Sequence, residues 1–151
     1  MREAYQRVLA AAKASHPEAA VHGVLVQPMA APGDEMILGV TRDPRFGPML
    51  MVGLGGIHVE VLRDVVFSPV PIGRDEALSL LGDLKGAAVL DGVRGAPPAD
   101  RAALAKLIAA LSRFAADHGD LIEEIDLNPV IVHAQGQGLT VVDALIVKRK
   151  H

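Results

Sequence analysis

The chain contains no cysteine. Disulfide bonds and thiol catalysis are therefore excluded, which agrees with a cytoplasmic location. Tryptophan is also absent, and there are only one tyrosine and three phenylalanines. The core must then be built from Leu, Val, Ile, Ala and Met. Neither sign of charge dominates. Fifteen Lys and Arg face eighteen Asp and Glu, interspersed, for a net charge of −3. A nucleic-acid partner would need a basic stripe, and none is present. No apolar run reaches the roughly 18–20 residues that span a bilayer. The first eight residues carry charges where a signal peptide needs an apolar core. There is no internal repeat, no Gly-Lys-Ser/Thr phosphate loop and no proper dinucleotide fingerprint. What remains is a chain of 151 residues, half of them hydrophobic, the size of one ordinary domain.

Helical and extended patterns segregate along this chain. Residues 1–15 read as an Ala-rich helix with Tyr5, Val8 and Leu9 on one side, stopped at His16-Pro17. Residues 21–29 read as a strand, ended by Pro32-Gly33, and residues 35–42 as a second strand. Asp43-Pro-Arg-Phe-Gly-Pro48 is a turn. Residues 49–53 form a third strand, apolar enough to be buried on both faces. Residues 60–72 hold one or two short strands. A helix follows from Arg74 to about Leu84, capped near Gly73, and residues 91–98 are a loop. Asp100 caps a long helix through Ala116, with Leu104, Leu107, Ile108, Leu111 and Phe114 on one stripe. Such segregation predicts an α+β fold with a mainly antiparallel sheet and helices packed on one face.

The chemistry concentrates near the C-terminus. Residues 122–133 and 139–147 read as two strands joined by a glycine-rich hairpin. Alternation puts Glu124, Asp126 and Asn128 on one face, and Ile125 and Leu127 on the other. Asp143 shares a face with Leu139, Val141, Leu145 and Val147, where a carboxylate is costly unless neutralised. A turn near Gln135–Gly136 sets Asn128 opposite Asp143, with Cβ atoms about 5 Å apart. Two carboxylates and an amide oxygen then converge, hard ligands of the kind that bind Mg²⁺ together with phosphates. The competing reading is structural: a solvated acidic strand end, with Asp143 paired to Lys148, Arg149 or Lys150.

Five ordered motifs carry a family resemblance. Glu124-Ile-Asp-Leu-Asn-Pro-Val130 followed by Val142-Asp-Ala144 resembles the end of the ATP-grasp domain of nucleoside-diphosphate-forming acyl-CoA synthetases (the acetate–CoA ligase family), and of the related succinyl-CoA synthetase β subunit. Val24-Leu-Val-Gln-Pro-Met29 resembles the family's interdomain hinge. Glu35-Met-Ile-Leu-Gly-Val-Thr-Arg-Asp-Pro-Arg-Phe-Gly-Pro48, Gly53-Leu-Gly-Gly-Ile-His-Val-Glu60 and Leu90-Asp-Gly-Val-Arg-Gly-Ala-Pro97 resemble three further family segments. The resemblance implies Mg²⁺ and ATP or ADP as cofactors, with Asn128 and Asp143 holding the metal and Asp126 supporting or ligating it. It places Val26, Gln27 and Met29 along the adenine edge and turns Glu35 toward the nucleotide cleft.

Other residues admit two readings each. The cluster at Gly53, Gly55 and Gly56 either lets backbone approach a phosphate or makes a bulge or tight turn. Glu60 either meets ligand or faces water. Arg42 and Arg94 either hold phosphate or an interface carboxylate, or are solvated at the surface. His58 stands where the family usually carries an aromatic residue, and reads as a substitution. The other five histidines have no metal-like spacing with one another.

The resemblance further implies that residues 1–151 are one domain, the second lobe of an ATP-grasp fold. The first lobe and the CoA-binding and ligase domains are expected as partners in the same enzyme or in a separate subunit. The expected activity of the whole is acyl-CoA, ADP and phosphate giving acid, ATP and CoA through an acyl phosphate and a phosphohistidine. The isolated chain is expected to be inactive. The alternatives are a non-catalytic module of a protein acyltransferase or regulatory protein, and a purely structural domain.

Overall fold

The computed structural model describes residues 2–56, 64–93 and 95–149. His58 and Glu60 lie outside the described residues, as do Arg94 and Lys150. The elements run α1 (Arg2–Ser15), β1 (Asp34–Asp43), β2 (Gly47–Leu54), β3 (Val65–Pro69), α2 (Arg74–Gly82), a 3₁₀ turn (Ala87–Asp91), α3 (Arg101–Asp117), β4 (Ile122–Val132), β5 (Leu139–Val141) and β6 (Ala144–Lys148).

Every strand pairing is antiparallel. The order is β3-β2-β1-β4, with β5 and β6 following one another along the outer edge of β4. The expected α+β class, with its antiparallel sheet, is the class observed. One face of the sheet carries the core. Met36, Leu38 and Val40 of β1, Leu50, Val52 and Leu54 of β2, and Ile125, Val130 and Val132 of β4 are buried against Ala77 and Leu81 of α2 and Leu104, Ile108 and Leu111 of α3. On β1 and β2 these positions are alternate residues, so the intervening ones turn to the opposite, uncovered face; on β4 a bulge between Leu127 and Val130 shifts the alternation by one. That face is where β2 departs from expectation. Met51 is only half-buried, so the strand is enclosed on one side, not two.

Local chemistry accounts for the boundaries. The Asp43 carboxylate accepts the N–H groups of Arg45 and Phe46 at 2.7 and 3.0 Å, closing the β1–β2 hairpin. Glu76 accepts the N–H of Gly73 at 2.6 Å where α2 begins. On α3 the expected stripe holds at Leu104, Ile108 and Leu111, but the inward turn is completed by Ser112 and Ala115. Ser112 is buried because its Oγ accepts the Ile72 N–H at 2.8 Å. Phe114 is instead exposed beside His118, with ring centroids 4.7 Å apart.

The largest departure is at residues 21–29, which form no strand. A strand needs a neighbour to satisfy its N–H and C=O groups, and these residues have none among the described elements. Pro28 and Pro32 remove two donors outright. Leu25 and Met29 are 83% and 95% exposed. Helix α1 forms as expected but buries none of its residues. Among the described residues no helix is long and apolar enough to cross a membrane.

Candidate functional site

The hairpin pairing puts Asn128 directly opposite Asp143. Leu127 pairs with Ala144 and Val130 with Val141, so the register between them is continuous. The Asn128 N–H donates to the Asp143 carbonyl at 3.3 Å, and the Val142 N–H donates to the Pro129 carbonyl at 3.0 Å. On its other side β4 is irregular. Its register against β1 shifts between Met36 and Leu38, so Asn128 and Pro129 together oppose Ile37. A bulge of this kind re-aims side chains, and here it falls on a cis Asn128-Pro129 peptide. Glu124, Asp126 and Asn128 line one cleft of about 390 Å³ with Ile37, Gly39, Thr41, Met51 and Phe67, and the core residues Val40 and Ile125 also border it. The expected alternation is therefore the observed one.

Asp143 is placed differently from its expected setting. The second strand breaks into β5 and β6 at Val142-Asp143. Asp143 is exposed, and so is Leu145, so no buried apolar face forces its neutralisation. Its Oδ1 accepts the N–H of Ala144 at 2.8 Å. The proposed pairing with Lys148 or Arg149 is not formed. Arg149 sits 4.0 Å from Glu123 instead. Among the described residues no three His, Asp or Glu side chains form a closed metal cage.

A second cleft, of about 330 Å³, is lined on β4 from Pro129, the residue after Asn128. Gln27, Met29, Gly33 and Glu35 line it with Pro129, Ile131 and Val142. The structure thus brings together Gln27, Met29 and Glu35. It does not bring Val26, which lines a separate apolar cavity with Tyr5 and Val8 of α1. The glycine cluster divides too. Gly53 pairs inside the sheet, where a Cβ would lie 2.8 Å from Val65, so it serves packing. Gly55 donates its N–H to the Glu35 carbonyl at 2.6 Å, and a Cβ there would lie 2.9 Å from Glu35 backbone. Gly56 is exposed at φ +62°, directly against the Glu35 carboxylate. The guanidinium of Arg42, partly buried, donates to the Gly119 carbonyl at 2.8 Å, tying β1 to the end of α3.

Sequence reasoning missed what holds this site in shape. Asp100 caps α3 through the Ala103 N–H at 3.0 Å, as expected. Its second oxygen accepts the N–H groups of Gly136 and Gly138 at 3.0 and 2.9 Å, locking the β4–β5 turn. The Ala103, Gly138 and Gly136 N–H groups together hold its carboxyl below the usual range, against the opposing effect of burial. Burial pushes the neighbouring carboxyl of Asp34, at the start of β1, upward. Asp64 is buried and accepts the Lys85 and Gly86 N–H groups at 2.9 and 2.7 Å, joining the start of β3 to the loop after α2. Its one sequence signal was a carboxylate beside the apolar run at Val65.

The family profile for the ATP-grasp domain matches residues 1–147. The chain belongs to the ATP-grasp family. Its relatives narrow that placement. The acetate–CoA ligase [ADP-forming] II subunit beta of Pyrococcus furiosus is 42% identical over 147 residues, which are 97% of this chain and 62% of that one. The dinucleotide-forming acetyl-coenzyme A synthetase 1 of Ca. Korarchaeum cryptofilum, solved with coenzyme A and Ca-AMPCP, superposes with a TM-score of 0.91 at 40% identity, over 98% of this chain and 63% of that one. The same enzyme solved with coenzyme A and Mg-AMPPCP, its phosphohistidine segment pointing towards the nucleotide binding site, gives 0.74 at 41% identity, over 80% and 55%. The ATP-grasp chain described here therefore spans less than two thirds of the relatives it matches.

Proposed function

We propose that the chain is the nucleotide- and Mg²⁺-binding lobe of an NDP-forming acyl-CoA synthetase. The whole enzyme would convert acyl-CoA, ADP and phosphate to acid, ATP and CoA through an acyl phosphate and a phosphohistidine. The observation that carries this reading is near-complete alignment, at about 42% identity, to an ADP-forming acetate–CoA ligase subunit. The acid and amide side chains fall on the uncovered face in support of it.

In this reading Asn128 and Asp143 hold Mg²⁺, with Asp126 beside them. The donor set fits a hard cation: oxygen ligands only, accessible to water and phosphate, and free of competing ion pairs among the described residues. Bound there, Mg²⁺ supplies charge neutralisation at the transferred phosphoryl group. Gln27 and Met29 lie along the base, and Glu35 with Gly55 and Gly56 closes the cleft beside them. The CoA-binding domains and the lobe that neutralises the remaining phosphate charge are partners outside these residues.

Isothermal calorimetry with Mg²⁺-ADP tests this. Two missing charge-assisted hydrogen bonds, about 1.5–3 kcal/mol each, weaken a micromolar site to roughly 0.1–10 mM. We expect Mg²⁺-dependent binding in that range, abolished by Asn128→Ala with Asp143→Ala, and no ATP formation by the chain alone. Micromolar binding that survives both substitutions would put the nucleotide elsewhere.

A further inference from the structure

Residues 20–32 are almost unattached to the sheet they accompany. Among the described residues, one hydrogen bond joins them to it: the Pro32 carbonyl to the His133 ring, 3.2 Å from Nδ1. Nε2 of the same ring lies 2.9 Å from the Thr140 hydroxyl. A carbonyl only accepts, so Nδ1 carries the proton. The Thr140 hydroxyl can donate to or accept from Nε2, so both contacts are complementary.

The ring is buried, yet His133 does not need it to hold its own backbone. Its N–H donates to the Gly138 carbonyl at 3.0 Å, and its carbonyl accepts the Asp100 N–H at 2.8 Å. The side chain is thus a bridge between an otherwise free coil and β5. That coil carries Gln27 and Met29, and β5 leads into Val142. Residues 27–31 line a cleft of about 390 Å³ together with His133, Thr140 and Val142.

We propose that His133, braced by Thr140, is a positioning residue that holds residues 27–31 over the nucleotide cleft and so sets base affinity. The inference rests on the reading that this segment meets the nucleotide. His133 itself touches no ligand in this scheme.

NMR on the 151-residue chain tests the bridge, and Mg²⁺-ADP titration tests its consequence. In wild type the Met29, Ala30, Ala31 and Gly33 amides should have order parameters near the rigid value of about 0.85. His133→Phe keeps the volume but removes both bonds. It should lower those four amides below about 0.6 while leaving residues 34–56 unchanged. Loss of one such bond corresponds to about tenfold weaker binding. His133→Asn, which still offers an N–H, should recover most of both effects. Thr140→Val removes only the brace, leaves the ring in place should His133→Phe fail to fold, and should loosen the same amides. Unchanged order parameters in His133→Phe and Thr140→Val overturn the proposal, whatever happens to affinity. Loosened amides in a chain that never binds Mg²⁺-ADP uphold the bridge and sink the nucleotide reading instead.

Discussion

The two faces of the sheet are built from the same strands and do opposite work. On β1 the residues Met36, Leu38 and Val40 are sealed under α2 and α3, while Glu35, Ile37, Gly39 and Thr41 border open clefts. On β4 the residues Ile125, Val130 and Val132 are sealed, while Glu124, Asp126 and Asn128 are not. The covered face leaves nothing unpaired: among the described residues no buried side-chain nitrogen or oxygen lacks a hydrogen-bond partner. The uncovered face has apolar floor residues, Met51 and Phe67, beside acids that make no ion pair among the described residues. One face has already spent its binding capacity on folding, and the other has kept it. If that is right, substitutions should separate stability from ligand binding according to the face they touch.

The largest expected effect lies on the covered face. Leu38→Ala removes a fully buried side chain and should cost about 2–5 kcal/mol of stability in urea unfolding. Per-molecule Mg²⁺-ADP affinity of the folded fraction should stay unchanged. A Leu38→Ala chain that is stable but cannot bind would dissolve the distinction between the faces.

Gly55→Ala comes next and tests the junction between them. Its Cβ would press to 2.9 Å against Glu35 backbone, which cannot swing aside as a side-chain tip can. Overpacking of this kind costs about 1–3 kcal/mol. Because Glu35 lines the second cleft, affinity should fall as well. Equal melting temperatures for Gly55→Ala and wild type would show that the strand end yields without cost.

How much of this was legible in the sequence depends on whether the signal is periodic. Alternation through Glu124, Ile125, Asp126, Leu127 and Asn128 assigned each residue to its observed face, because the strand period is a backbone property. The turn at Gln135–Gly136 followed from glycines, and both Gly136 and Gly138 do adopt positive φ. Alternation misled at Asp143, where the strand breaks and the nominally apolar face is open to water. It misled again at residues 21–29, whose apolar content resembles a strand but which lack a pairing partner. The pins were invisible altogether. Asp100 reaches Gly138 and His133 reaches Pro32 across 38 and 101 positions of sequence. No local pattern encodes such contacts. The Asn128 and Asp143 positions were legible as a motif, and their cross-strand pairing as register.

A smaller effect, whose pH dependence falls in acid, concerns Asp100. Its folded-state pKa is depressed, so its contribution is full above the unfolded value of about 3.9 and is lost as pH falls through the folded value. Asp34 works in the opposite sense: its raised pKa penalises the charged form, so its protonation favours the fold as pH drops. Asp100→Asn should flatten the loss of stability below about pH 4 and lower the melting temperature at pH 7. Asp34→Asn should leave the pH 7 melting temperature equal or higher. Both are read by thermal melts across pH 2–7, on the order of the carboxylate range. The reverse ranking would mean the α3 cap and the hairpin do not depend on the Asp100 charge.

The smallest effect on folding should accompany a large one on binding. Asp143 is exposed, makes no ion pair among the described residues, and its side chain accepts only the N–H of its own neighbour Ala144. Asp143→Asn keeps an oxygen for that bond and removes one charge. Surface changes of this kind stay within about 0.5 kcal/mol. A Mg²⁺ ligand set of two carboxylates and one amide would, by contrast, lose half of its formal charge. We expect unfolding curves that overlay wild type and Mg²⁺-ADP binding weakened at least about tenfold, a difference of 1.4 kcal/mol. The two numbers must be measured on the same preparation, by urea unfolding and by calorimetry. If Asp143→Asn binds Mg²⁺-ADP like wild type, the uncovered face keeps its acids for some other ligand. If it instead unfolds early, Asp143 belongs with the folding residues and the contrast between the faces fails at the position chosen to display it.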